Sequence, residues 1–305
     1  MTNNATRSNS NNCKYLIISE QDEQYGLYVN AVGYQSVKPG DIYPIHEHPK
    51  EYFFNVTEGR ILHEYQLIYI TKGKGIYVDY LKQAHQVCKG KLMLVFPETW
   101  HSYHPLLENG WDEYYIGFNG SIINNIAKCG FISPTNPVIE IGLNEDLVSL
   151  YTDALQIARE SKVGAQQQLG GIVMHILGKS LAISKNRYFS MDDSGEKIEQ
   201  AKIIMRESIY QDCNPEEIAI KLNISYSWFR KTFKEYTGYA PAKYLQELRI
   251  NAAKQMLMET TLSIKEIAFK LRYNASEHFY TLFKKRTGMS PGEYRNLGKK
   301  GEIEE

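Results

Sequence analysis

Between about Lys14 and Phe118 the apolar positions come in short runs rich in Tyr, Ile and Val, such as 65–70 and 76–80. They are broken by Pro39-Gly40, Gly73-Lys74-Gly75 and Lys89-Gly90. Short strands at regular spacing, separated by glycine turns, predict a β-sandwich or barrel. From Asn144 the period changes. Leu147, Leu150, Tyr151, Ala154, Leu155 and Ala158 share one helical face, and Leu169, Val173, Ile176, Leu177 and Ser180 share another between 166 and 183. Such a helix pair either covers the open side of a barrel or pairs with its copy in a second subunit, and the two readings are compatible. Residues 1–12 are polar without a periodic face and predict a disordered arm ahead of a domain over 13–184. Residues 185–195 carry turn formers without helical or strand period and predict a linker. A helical domain over 196–296 and a polar tail over 297–305 complete the chain.

The helical domain contains an internal repeat. Phe229, Phe233, Lys234, Thr237, Gly238, Pro241 and Tyr244 are matched 50 positions later by Phe279, Phe283, Lys284, Thr287, Gly288, Pro291 and Tyr294. Upstream the shift is 49, with Ile218, Ala219 and Leu222 answered by Ile267, Ala268 and Leu271. The second copy therefore carries one extra residue in the turn between its two helices. Two copies are too few for a solenoid. In the first, Asn214 and Pro215 suit a helix N-cap and N1, and Ser225 can cap the next helix. With Phe229 facing the core and about 100° per residue, Ser227, Lys231 and Lys234 point away from it, with Trp228 and Arg230 on the flanks. The second copy repeats this with Glu277, Thr281 and Lys284 outward and His278 and Tyr280 flanking. Leu245, Leu248, Ala252, Ala253, Met256 and Leu257 predict one continuous helix over 242–259 joining the two. A rigid connector between two outward polar helices suits consecutive major-groove segments, about 34 Å apart.

Charge supports this reading. The chain is formally neutral, with 35 Lys and Arg against 35 Asp and Glu. From Ser194 onward, however, 19 basic residues stand against 15 acidic ones, so the cationic surface is concentrated in the repeat domain. Cys13, Cys88, Cys129 and Cys213 are scattered without a CxxC pair, which fits a reducing cytoplasm and neither a zinc cluster nor a disulfide framework. No stretch reads as an export or membrane-anchoring segment.

The spaced elements Ile267-Ala268, Phe279, Phe283-Lys284, Thr287-Gly288-x-Ser290-Pro291 and Tyr294-Arg295 resemble the C-terminal signature of AraC/XylS-type transcription regulators. The resemblance implies an all-α double helix-turn-helix domain that reads a double-stranded DNA operator. Base contacts would fall on Ser227, Arg230 and Lys231 in the first unit and on Glu277, His278, Tyr280 and Thr281 in the second. Arg272 and Ala275 depart from the family pattern, which has Gly before the aromatic of the second turn and an acidic N-cap after it. An Arg where Gly tolerates positive φ predicts strain, and Asn274 or Ser276 is expected to substitute for the cap.

Segments 63–75, 96–103 and 111–118 resemble, more loosely, the cupin-like barrel with which such regulators bind small effectors. The fold class is therefore α+β and multidomain: a cupin-like β-barrel with a following helix pair, then the double helix-turn-helix domain. Strand alternation from Trp111 places Trp111, Glu113 and Tyr115 on one side, a carboxylate between aromatics that suits a sugar. By resemblance, Tyr103, Glu113 and Tyr115 line the pocket, with Arg60, Tyr65 and His101 as further candidates; the alternative is that the aromatics are core and Glu113 faces water. His46, His48 and His101 would suit a metal cupin, but Gln66 stands where a carboxylate ligand is expected, so no metal or other cofactor is assigned. The leading expectation is a cytoplasmic, homodimeric, non-enzymatic regulator responding to a small carbohydrate effector and able to engage the transcription machinery. Its alternative is an enzyme, either a metal-dependent cupin or an alkyl-transfer repair protein carrying the same DNA module.

Overall fold

The computed structural model describes residues 12–44, 55–191 and 193–301. The chain separates into two units, one ending at Lys185 and the other beginning at Asn186.

The first unit contains β1 (Asn12–Tyr15), α1 (Glu20–Tyr25), β2 (Tyr28–Val37), β3 (Tyr65–Val78), β4 (Ala84–Cys88), β5 (Lys91–Val95), β6 (Ser102–Pro105), β7 (Trp111–Asn119), α2 (Ser121–Lys128), β8 (Val138–Glu140), α3 (Glu145–Glu160) and most of α4 (Ala165–Ser190). Asn12, read from sequence as the end of a disordered arm, already pairs with Tyr34 in β1, and Cys13 follows it there. The remainder of that arm lies outside the described residues. The strands are antiparallel throughout, in the order β1-β2-β7-β3-β5-β8, with β4 and β6 also on β3. The 14-residue β3 serves both groups: Tyr65–Ile70 run between β7 and β5, and Lys74–Val78 pair with β4 and β6.

Because both faces of this sheet are covered, its strands carry few exposed positions, and strict polar alternation is lost. One face, with Val29, Val32, Leu67, Tyr69, Leu92, Ile116 and Phe118, packs under Leu147, Tyr151, Ala154 and Leu155 of α3 and Leu169, Val173 and Ile176 of α4. The other encloses Ala31, Val37, Ile68, Ile70, Tyr77, Met93, Tyr103, Trp111 and Tyr115. The helix pair therefore covers the sheet. Asn144 caps α3 by accepting from the Leu147 amide, as the change of period at that residue predicts.

The second unit is helical: α5 (Ser194–Glu207), α6 (Pro215–Lys221), α7 (Tyr226–Thr237), α8 (Pro241–Glu259), α9 (Ile264–Lys270), α10 (Ser276–Thr287) and α11 (Pro291–Gly301). It has two cores strung along α8. The first joins Ile198, Ala201, Met205, Ile218, Ala219, Phe229, Phe233 and Leu245; the second joins Ile250, Ala253, Leu257, Ile267, Ala268, Leu271, Phe279 and Phe283. Residues 185–190, expected as irregular linker, are the last turns of α4, where Phe189 is buried and its ring centroid lies 4.9 Å from that of Tyr236. Residues 297–301, read as tail, continue α11. No helix among the described residues is long and apolar enough to cross a membrane.

Candidate effector site and nucleic-acid interface

The inward side of β7 carries Trp111, Glu113 and Tyr115, all buried. Register places Glu113 opposite Gln35 on β2 and Ile70 on β3, and Tyr115 opposite Gly33 and Ile68. Gly33 is required by this neighbour: a Cβ there would lie 2.1 Å from the Tyr115 ring. Gly117 likewise makes room for Glu64, whose Oε1 would be 2.3 Å from a Cβ and which accepts a 2.8 Å bond from Gln66 Nε2.

Around Glu113 stand the rings of Tyr43, Tyr103 and Trp111, with centroids 5.8 to 6.2 Å apart. Tyr43 Oη donates to Glu113 Oε1 at 3.4 Å, a long bond, while Glu113 Oε2 and the Trp111 Nε1–H have no hydrogen-bond partner among the described residues. Burial pushes the Glu113 carboxyl up to about 8, against the lowering effect of Arg60 and the Tyr43 hydroxyl. Arg60 Nη2 donates to Tyr103 Oη at 2.6 Å, and its Nε donates to His101 Nε2 at 3.3 Å. His101 Nδ1 lies 3.0 Å from the Thr99 carbonyl. Since Nε2 accepts, Nδ1 must carry the proton; burial, and then Arg60, push the imidazole down to about 3 and keep it neutral. Its plane runs nearly parallel to the rings of Tyr77 and Tyr103, with centroids 6.4 and 6.1 Å away.

The structure thus gathers Arg60, His101, Tyr103, Glu113 and Tyr115 inside the sheet and leaves Tyr65 out. Tyr65 lies on the opposite face, stacked on Phe118 at 5.9 Å, with its hydroxyl donating to Asn124 Oδ1. Alternation along β3 explains this, because Tyr65 shares its side with Leu67 and Tyr69. His46 and His48 lie outside the described residues. Sequence reading missed Gln35, Tyr43 and Glu64 as members of this interior. Gln35 sits at the same alternation as Val37 and would have been found from β2's register, whereas Tyr43 and Glu64 lie outside the strands and carry no periodic signal.

In the second unit both helix pairs explain their repeated residues. Phe229 and Phe233 are 5.3 Å apart and Phe233 meets Tyr244 at 5.2 Å; Phe279, Phe283 and Tyr294 repeat this at 5.6 and 5.5 Å. Gly238 and Gly288 end α7 and α10 at φ 79 and 81, donating to the carbonyls of Lys234 and Lys284. Thr237 and Thr287 tie the same turns by donating to the Phe233 and Phe283 carbonyls. Ser227, Arg230, Lys231 and Lys234 are exposed on α7, as are Glu277, His278, Tyr280, Thr281 and Lys284 on α10. The turn before α10 has five residues where that before α7 has four, as the change of shift in the repeat requires. Each turn contains one left-handed residue, Asn223 at φ 52 and Arg272 at φ 61. Ser225 caps α7 through the Trp228 amide, but Ala275 caps α10 without a side-chain bond. Neither expected substitute closes that gap: Asn274 is not the N-cap, and Ser276 Oγ donates to Glu277 Oε1.

Comparison with known proteins agrees with both halves. Residues 39–169 match the family described as AraC-like ligand binding domain, and residues 218–297 match the one described as helix-turn-helix domain. The chain is 24% identical over 252 residues to the lactose operon transcription activator of Staphylococcus xylosus, covering 80% of this chain and 86% of that one. The chain belongs to the AraC family of transcription regulators. To a second relative, the raffinose operon transcriptional regulatory protein RafR of Pediococcus pentosaceus, it is 23% identical over 247 residues, covering 79% and 86%. A shorter likeness, 38% over 69 residues, links this AraC-family chain to the bifunctional transcriptional activator/DNA repair enzyme AdaA of Bacillus subtilis; it covers 23% of this chain and 33% of that protein.

Proposed function

We propose that this regulator is a non-enzymatic, homodimeric switch whose sheet domain takes up a small carbohydrate and whose α7 and α10 read operator DNA, where it engages the transcription machinery. The observation that carries the carbohydrate reading is the pair of unpartnered polar atoms on one side of β7, Glu113 Oε2 and Trp111 Nε1, set among aromatic rings. A buried polar group without a partner is costly, and a ligand bearing hydroxyl groups supplies both a donor and an acceptor there. The ring faces of Tyr103 and Trp111 offer the apolar surface that the flat side of a sugar requires. The operon names of two relatives, at 24% and 23% identity, support the same ligand class.

Titration calorimetry with a panel of mono- and oligosaccharides tests this. Binding of at least one sugar is expected, with Glu113→Gln weakening it by about 1 to 2 kcal/mol, the range for one hydrogen bond, while leaving operator affinity without effector unchanged. No heat from any sugar would sink the reading.

A further inference from the structure

The two cores of the helical unit meet along α8, and between them opens a cleft of about 260 Å³ lined by Cys213, Leu245, Arg249, Arg272, Tyr273 and His278, among others. Two arginines span it. Arg249, at the middle of α8, donates from Nε to the Ile209 carbonyl at 3.2 Å and from Nη2 to the Gln211 carbonyl at 2.9 Å. Arg272, in the turn between α9 and α10, donates from Nε to the Tyr210 carbonyl at 2.9 Å. Three consecutive carbonyls of the loop that leads from α5 into the first helix-turn-helix are therefore held by cations, one of which belongs to the second. Hydrogen bonds from a charged donor are the strong kind, and these point at carbonyls just past a helix C-terminus, where positive charge is favoured.

Arg272 makes its bond from a left-handed backbone position, φ 61, that disfavours any residue with a Cβ. Glycine would be the relaxed choice, and it would have no side chain to cross the cleft. The first copy has Asn223 in the corresponding turn, whose shorter side chain has no such reach.

We propose that Arg272 is a positioning residue for DNA recognition, fixing with Arg249 the distance and angle between the two helix-turn-helix units. The proposal rests on the assignment of α7 and α10 as recognition helices. α8 alone is one continuous helix, yet each unit rests on its own half of it. Without a cross-strut, each could tilt about its own contact with α8.

The test uses full-length protein and DNA duplexes selected by that protein from a random-sequence pool, then rebuilt with one or two base pairs inserted between the two protected segments. The wild type is expected to lose at least about tenfold in affinity on a single insertion, the equivalent of about 1.4 kcal/mol. Arg272→Gly, which relieves the backbone while removing the strut, is expected to keep or raise the melting temperature. It should bind the original spacing less tightly and lose only about two- to threefold on the insertion, the remainder of the tenfold being the strut's share. Arg249→Gln should flatten the spacing profile in the same direction. A spacing profile for Arg272→Gly that parallels the wild type, even with uniformly weaker binding, overturns the proposal and assigns Arg272 a phosphate contact or a structural role. A wild type indifferent to the insertion overturns the underlying two-helix reading as well.

Discussion

Glu113 holds a proton in the folded protein under conditions where it would lose it in the unfolded chain, because burial lifts its carboxyl from 4.5 to about 8. Between those values the native state binds more protons than the unfolded one, so this residue's contribution to stability falls as pH rises, by up to about 1.4 kcal/mol per pH unit. His101 works the other way: its folded value of about 3 lies below the ordinary 6.5, so its contribution is present above 6.5 and is lost as pH falls toward 3. The two slopes oppose each other between 4.5 and 6.5, and Glu113 acts alone between 6.5 and about 8. Thermal unfolding of wild type and Glu113→Gln across that upper window should show the wild type losing stability relative to the variant as pH rises; parallel curves would contradict the assigned burial. At this scale the sequence was legible where one strand could be taken by itself. Trp111, Glu113 and Tyr115 follow from alternation, whereas Tyr65 was misplaced because resemblance was used where alternation with Leu67 and Tyr69 already decided the side. Glu64 is a buried polar residue just ahead of β3 whose place beside Gly117 comes from a strand distant in sequence, which no local pattern reveals.

Helix ends show how an element can be fixed more or less firmly by one side chain. α7 begins with Ser225 accepting from Trp228, and α9 and α11 begin with Ser263 and Ser290 accepting from the amides of Glu266 and Glu293. α10 begins with Ala275, whose side chain can accept nothing. Ala275→Asp is expected to stabilise the second helix-turn-helix by about 0.5 to 2 kcal/mol, read as a higher melting temperature of the helical unit and slower amide exchange in the first turn of α10. No gain in either measurement would mean that those amides are already satisfied. The elements of this unit were nearly all legible, because duplication prints the core residues, the glycines that end α7 and α10 and the prolines that begin α8 and α11 twice. The last turns of α4 were not. Between 185 and 190 only Phe189 is buried while Tyr188 is exposed, and one buried residue gives no period; the helix continues there because Phe189 packs on Tyr236.

At the level of the whole molecule, the division between Lys185 and Asn186 assigns the repeat, its two cores and most of the basic surplus to one unit. A fragment over 186–305 is therefore expected to fold alone and bind the selected duplexes, with affinity falling linearly in log–log against salt at a slope of about −0.9 per phosphate contact. Anisotropy titrations across a salt series measure this; a fragment that unfolds, or whose binding ignores salt, would contradict the division. The fragment's affinity should trail that of the full chain if the first unit dimerises it, and equal affinity would speak against a homodimer.

The double duty of β3 has its own consequence. Its Ile68 and Ile70 face the interior that Tyr103, Trp111 and Tyr115 share, while Leu67 offers its carbonyl to the Tyr151 hydroxyl of α3, and the Tyr69 hydroxyl receives the Asn144 amide at the start of that helix. What separates that interior from the covering helices is one peptide ribbon, a wall a single residue thick. A shift of the β3 backbone at Ile68 therefore moves the Leu67 carbonyl and the Tyr69 hydroxyl that hold the start and middle of α3, with almost no distance between cause and effect.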